Sequence, residues 1–343
     1  MKITCRLFCV SALMLIVCPL AHHALAQTRE SAPVVIRVAQ GLSEDSHLGR
    51  AVTLFAERVA RDSAGRLTIK PIHNGQAGTD SKAMQDAIEG KLEIFVGSTT
   101  TMAPAYKPLA IWDTPFLFAN YAEAHAVLDS KVGQSLLQGV SESGLVGLAY
   151  WENGFRNMTN KLRSVTRVED FAGIRLRTMP SEAAINTFNR LGVDAKPLQF
   201  AEVRAALQNG TFDGQENPYP TIVSAKIHEV QKYLTVTNHM YTPYGVMASR
   251  KWWLTLTAAD QKIIRDAAWE TRLFQREESR KAADTALASI KASGVKVDEL
   301  AIGERSRISH RLEKVNAVVA ANVGLPLWIE THNQIYMYRN RNK

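Results

Sequence analysis

From residue 34 to about residue 210 the chain alternates short apolar runs with segments of helical period, and this alternation decides its fold class. Val34-Val35-Ile36-Arg37-Val38 has the composition of a strand, and Leu48, Val52, Phe55 and Val59 then recur at three- and four-residue spacing ahead of Gly65, the stripe of an amphipathic helix. Leu67-Thr68-Ile69 repeats the strand signal, Asn74-Gly75-Gln76-Ala77-Gly78 is a turn, Met84, Ala87 and Ile88 mark a helix that stops at Gly90, and Leu92 to Val96 is again strand-like. Strands alternating with helices imply βαβ units, a mainly parallel sheet and helices on both of its faces. The fold class is α/β.

At Trp151-Glu152-Asn153-Gly154 the pattern pauses, which predicts a crossover between two domains with a tight turn at Asn153-Gly154. A second series follows: a strand at Ile174 to Thr178, a helix with Ala184, Phe188 and Leu191 before Gly192, a strand near Ala195 to Leu198, and a helix from Ala201 to Asn209. After a strand at Tyr244 to Ala248, Thr257-Ala258-Ala259-Asp260 has the form of a capped helix start, and no Pro or Gly interrupts the chain until Gly294. Two readings stand there, a kinked pair of helices or one long helix that ties two lobes together. The expected division is residues 27–152 plus about 243–282 in the first α/β lobe and 153–242 plus about 283–343 in the second. No internal repeat is found.

The first 26 residues read as a secretory signal. Lys2 and Arg6 are positive, Leu7 to Leu20 is an apolar core, and Ala24-Leu25-Ala26 supplies small residues before a cleavage point at Gln27. No later stretch reaches about 18 uninterrupted apolar residues, so the mature chain is expected to be soluble. Cys5, Cys9 and Cys18 all lie in the signal; a cysteine-free export of this size suits a bacterial periplasm and a fold without disulfides. Cys18 follows Leu15 by three, as in a lipidation site, but Val17 is bulkier than such sites use. In a periplasm the sequon Asn157-Met158-Thr159 is a chance match.

Of 343 residues 46% are hydrophobic and 22% charged, which excludes disordered, collagen-like and low-complexity classes. The formal charge is +8, from 41 Lys and Arg against 33 Asp and Glu, and drops to +6 without Lys2 and Arg6. No dense basic cluster interleaved with aromatics is present, so nucleic acid is not an expected partner. The G-x-S-x-G elbow, the phosphate loop, the dinucleotide fingerprint and H-E-x-x-H are all missing. His47, His73, His125, His228, His239, His310 and His332 show no i, i+3 or i, i+4 pairing, so neither a metal nor a cofactor is expected. Arg272, Arg276 and Arg280 share one helix face near Glu277, Glu278 and Asp284, and read as a solvated, salt-bridged face, the alternative being a docking strip.

Residues 151–220 are the most informative. Arg156 sits beside Asn153-Gly154, and in Gly173-Ile174-Arg175-Leu176-Arg177-Thr178 strand alternation puts Arg175 and Arg177 on one face. A guanidinium offers two parallel N–H donors to a carboxylate and keeps its charge. Such an arginine is either the anchor of an organic anion at a cleft or a surface residue paired with a local Asp or Glu; spacing alone leaves both open.

Several further segments carry a resemblance. They are Phe55-Ala56-Glu57-Arg58-Val59 with Ser63-Ala64-Gly65-Arg66-Leu67, Asn74-Gly75-Gln76-Ala77-Gly78, Pro115-Phe116-Leu117-Phe118, Gly154-Phe155-Arg156-Asn157-Met158-Thr159-Asn160, Glu169 to Arg177, Ala205-Ala206-Leu207-Gln208-Asn209-Gly210 and Asp213-Gly214-Gln215-Glu216-Asn217-Pro218. In this order they closely resemble the solute-binding subunit of the tripartite ATP-independent periplasmic (TRAP) transporters, of the dicarboxylate-binding type, over nearly the whole mature chain. Ala77 stands where leucine is common and Arg175 where lysine is common.

The resemblance implies a two-lobed periplasmic binding protein with a ligand cleft between its lobes and a long lobe-spanning helix. Such a receptor closes on a small carboxylate and delivers it to the small and large membrane subunits of a transporter driven by an ion gradient. By the same resemblance Arg177 makes the bidentate contact to the ligand carboxylate, Arg156 is a second cationic contact, Asn217 orients the ligand, Phe200 lines the pocket, and Ser46-His47 and Ser98-Thr99 supply polar contacts from the first lobe. The alternatives are a periplasmic enzyme acting on an organic acid, or a binding protein serving a signalling partner or an ATP-driven permease.

Overall fold

The computed structural model describes residues 33–341; the expected signal and all three cysteines lie outside them. Nine strands form one sheet: β1 (Val34–Ala39), β2 (Leu67–Ile72), β3 (Ile94–Ser98), β4 (Leu145–Asn160), β5 (Arg175–Thr178), β6 (Asp194–Pro197), β7 (Gly214–Asn217), β8 (Tyr233–Ser249) and β9 (Lys296–Glu299). The order is β2-β1-β3-β8-β4-β7-β5-β6, with β9 also on β8. The short strands pair in parallel through βαβ crossovers, as β1 does with β2 and β3, and β5 with β6 and β7. The two long strands run antiparallel to each other.

The sheet is two half-sheets that share β4 and β8. On β8, residues 244–248 pair with β3, while Tyr233 to Val236 pair with β9 at the other end; on β4, Asn157 to Asn160 pair with β7. In the first half Ile94 and Val96 enter one apolar core and Phe95 the core on the opposite face, the two-residue alternation of a strand covered on both sides. The second half has its own cores, one around Phe171, Leu176 and Phe188 and one around Leu207, Ile222 and Leu234.

A single 35-residue helix, Ala258–Ala292, resolves the two readings of that stretch. At about 1.5 Å per residue it is about 52 Å long. The Thr257 hydroxyl caps it by accepting from Asp260 N. Near its start Ile264, Ala267 and Ala268 belong to a first-half core, and near its end Ile290 belongs to a second-half core. Its arginines do not form a solvated face: Arg276 is 5% exposed and, with Arg272, binds Asp129, while Arg280 binds Glu152 and lies over the Tyr121 ring. The sequence reading stops at Gly294, and three further helices follow, Glu304–Arg311, Glu313–Val323 and Leu325–Arg341. From Pro33 onward the chain forms one continuous contact unit.

Candidate functional site

The expected tight turn at Asn153-Gly154 is not there. β4 runs through it, and the register against β8 slips between Glu152 and Gly154. Gly154 has φ 118°, so an extra residue is taken up as a β-bulge rather than a reversal. The long helix supports the bulge: Gln275 Nε2 donates to Glu152 O (2.8 Å) and Gln275 Oε1 accepts from Glu152 N (2.6 Å). Beyond the bulge Arg156 is carried into the interior, 1% exposed.

β7 brings the partner of Arg156. Its four residues Gly-Gln-Glu-Asn are all buried. They are poor strand formers, and the sequence reading assigned no strand there. What holds a polar strand inside is complete pairing. Arg156 donates from Nε to Glu216 Oε2, and from Nη2 to Glu216 Oε1 (3.0 Å), Glu216 O (2.6 Å) and Asn217 Oδ1 (3.0 Å). Asn217 Nδ2 donates to Gln215 Oε1 (2.6 Å), and Gln215 Nε2 donates to Thr159 Oγ1 (3.0 Å). Burial alone would raise the Glu216 carboxyl, but the Arg156 charge and the hydrogen bonds from His239 and Arg156 bring it down to about 2. Arg156 is therefore neutralised inside the protein.

The two strand arginines of β5 part company. Arg175 is exposed and paired with Asp213 (Nη2–Oδ1 2.6 Å). Arg177 is 2% exposed; its Nε and Nη2 both donate to Leu198 O (2.8 and 2.6 Å), and its Nη1 is buried with no partner. Burial is the largest influence and lowers its pKa to about 10; Glu216 and Asp80 oppose the shift and Arg156 adds to it. At neutral pH Arg177 is a desolvated cation with spare donors.

Arg177, Arg156, Asn217, Phe200 and Ser98 line one small pocket of about 40 Å³, so five of the eight expected contacts come together. The wall is built from both halves: Asp80, Ser98 and Tyr244 face Arg177, Phe200 and Asn217. Thr99 is fully buried next to the pocket but not on its wall, its hydroxyl donating to Pro243 O (3.4 Å). Ser46 and His47 line a larger neighbouring cavity of about 610 Å³, and His47 stacks on Tyr244 with ring centroids 6.4 Å apart. Burial holds its pKa at about 4, so the imidazole is neutral.

Asp80, Thr101, Gln199 and Tyr244 also reach the wall and were not foreseen. Asp80 could have been suspected: Thr79 caps a helix that begins at Asp80, directly after the Asn74–Gly78 turn. Bonds cross between the halves beside the pocket: Ser181 Oγ donates to Asp113 Oδ2 (2.8 Å), Ser81 Oγ to Gln199 Oε1 (3.3 Å) and Ser98 Oγ to Met179 Sδ (4.0 Å). Among the described residues no cluster of three His, Cys, Asp or Glu could hold a metal ion, and no helix is long and apolar enough to cross a membrane.

Residues 38–321 match the model of the bacterial extracellular solute-binding proteins, family 7. The sugar acid binding protein of Advenella mimigardefordensis, solved with galactonate, superposes with a TM-score of 0.87 at 38% identity, over 89% of this chain and 98% of that one. A TRAP periplasmic solute-binding protein from Polaromonas, bound to D-erythronate, gives 0.84 at 31% identity over 87% and 98%. The C4-dicarboxylate-binding periplasmic protein of Rhodobacter capsulatus is 28% identical over 88% of this chain and 91% of its own. With its two half-sheets, shared long strands and buried free guanidinium, the chain belongs to the family 7 extracellular solute-binding proteins, the carboxylate receptors of TRAP transporters.

Proposed function

We propose that the protein is exported under its first 26 residues, grips a small organic acid through Arg177 in the periplasm, and hands it to the small and large membrane subunits of a TRAP transporter. One observation carries the ligand reading: Arg177 Nη1 is buried, charged and unpartnered on the wall of a small pocket. A buried charge is costly unless a counter-charge and hydrogen bonds satisfy it. A solute carboxylate supplies both. The relatives' ligands, galactonate, D-erythronate and C4-dicarboxylates, have one group in common across all three, a carboxylate.

A pocket of about 40 Å³ holds no more than a few waters, so an acid enters only when the halves part. We place the lobes at 27–152 plus about 243–282 and at 153–242 plus about 283–343. The pairing of Glu152 with Pro243 at the bulge supports this division, with the hinge in β4 and β8. The final helix, Leu325–Arg341, is the exception to it, since it packs on the first half, where Arg339 binds Glu123 and Ile335 enters the core.

Calorimetry with sugar acids, keto acids and dicarboxylates, with the acid recovered afterwards, tests the reading. Saturable binding of an unchanged acid and a smaller radius of gyration on binding are expected. Turnover of the acid, or no binding by any of the panel, would overturn it.

A further inference from the structure

The pocket that holds Arg177 also holds an acid. Asp80 lines it, and its carboxylate makes no hydrogen bond to any described residue. Gly41 makes room for it, since a Cβ there would lie 3.1 Å from Asp80 Oδ1. Asp80 and Arg177 face the same space without forming an ion pair. Arg156 lends no compensating charge, because Glu216 engages it through both carboxylate oxygens. The charges at the site are thus two guanidinium groups and two carboxylates, with only Arg177 and Asp80 unpaired.

From this placement, and resting on the receptor reading above, we infer that the site selects a polyhydroxylated monocarboxylate of the aldonic type and that Asp80 is its specificity-determining residue. The solute's carboxylate takes the free Nη1 of Arg177, and one or two of its hydroxyls donate to Asp80. A dicarboxylate of similar length would bring its second charge toward Asp80, where like charges repel in a desolvated space. Asp80 is half-buried, and a plain fatty acid would cover its oxygens without supplying a donor. Rejection comes from both sides: a site built to accept from hydroxyls discriminates against a ligand that lacks them, and a fixed negative charge discriminates against a second one. Gln199, whose Oε1 accepts from Ser81, adds its amide N–H groups to the same wall. Burial raises the Asp80 carboxyl to about 6, partly offset by Arg177, so it is ionised at pH 7.5.

The test is calorimetric titration at pH 7.5 of the wild type, Asp80→Asn, Asp80→Ala and Arg177→Ala with D-galactonate, D-erythronate, hexanoate, succinate and adipate, after melting curves have shown each variant folded. The wild type is expected to bind an aldonate at least about tenfold more tightly than either dicarboxylate. Both Asp80 variants should shrink that ratio at least about tenfold, with Asp80→Asn losing aldonate affinity and gaining dicarboxylate affinity. A wild-type preference for succinate or adipate, or a ratio unchanged in both variants, overturns the inference while leaving the receptor intact, provided the acids still bind and fail to bind Arg177→Ala. Failure of all five acids to bind the wild type removes the receptor reading and this inference with it.

Discussion

Glu216 clasps Arg156 with both carboxylate oxygens and its own backbone carbonyl, 60 residues along the chain, and both side chains are 1% exposed. The pair is a strut across the sheet, and Arg156 also reaches the pocket wall. It closes the second half of the sheet by joining β4 to β7 and turns a cation expected to meet the solute into part of the wall. Arg177, two strands away in the sheet, has no such carboxylate, and among the described residues its one hydrogen-bond partner is the Leu198 carbonyl.

Arg177→Ala is expected to weaken acid binding by about 2–5 kcal/mol, roughly 30-fold to several thousand-fold, the usual cost of cutting one side of a buried charge pair. Arg177→Lys keeps the charge but loses the planar fork, so its affinity should fall between the two. Calorimetry with the tightest-binding acid reads both. Wild-type affinity in either variant would remove Arg177 from the site.

Glu216 ties stability to pH with a definite sign. Its folded pKa of about 2 lies below its ordinary value of 4.5, because the Arg156 charge and the hydrogen bonds to it outweigh burial. A depressed carboxylate contributes stability that is fully present above about pH 4.5 and is lost as the pH falls toward 2. Glu216→Gln leaves Arg156 buried without its counter-charge, and should cost about 3–5 kcal/mol at pH 7. Urea midpoints should show the variant's stability changing less steeply than wild type between pH 4.5 and pH 2. Parallel curves would exclude the pair as the source.

Much of this architecture is legible in the residues. The first three strands, their two helices and the two ends of the 35-residue helix follow from apolar period, glycine stops and a threonine cap, since burial on one helix face or both strand faces leaves a period behind. β7 left none, because Gly214 to Asn217 are buried by mutual hydrogen bonds instead of apolar contact. The first half of β8 was missed likewise, its Thr235, Thr237 and His239 being buried polar residues. At the site, alternation singled out Arg175 and Arg177 together. Only the fold separates them, since Asp213 captures one and the interior takes the other. Asp80 carried no signal beyond a helix start, because what it faces belongs to the other half of the molecule.

The bulge that aims Arg156 depends on Gly154. At φ 118° a side chain is strained, and its Cβ would also lie 3.5 Å from both Arg280 Nη2 and Pro218 Cβ. Gly154→Ala is expected to cost about 1–3 kcal/mol in folding stability and to weaken acid binding as well, since the strand beyond the bulge carries Arg156, which bonds Asn217 on the pocket wall. Chemical denaturation and calorimetry on the same variant separate the two losses. A stability equal to wild type would mean that β4 can straighten without the bulge.

Gln275 makes the strongest case that the long helix serves the site. At a bulge a strand residue loses its ladder partners, and here the side-chain amide of Gln275 replaces them, donating to the Glu152 carbonyl and accepting from its N–H while itself fully buried. Gln275→Ala strands two backbone groups away from water, at about 1–3 kcal/mol each, and adds a small cavity. Gln275→Glu keeps the acceptor for Glu152 N but sets a carboxylate oxygen against the Glu152 carbonyl, so it should be at least as damaging as alanine at pH 7. That ranking discriminates, because a residue acting only by filling space would tolerate the nearly isosteric glutamate better than alanine. Hydrogen exchange at the Glu152 amide reads the local effect: faster exchange in Gln275→Ala without global unfolding is expected, whereas unchanged protection would mean that the strand is held by β8 alone.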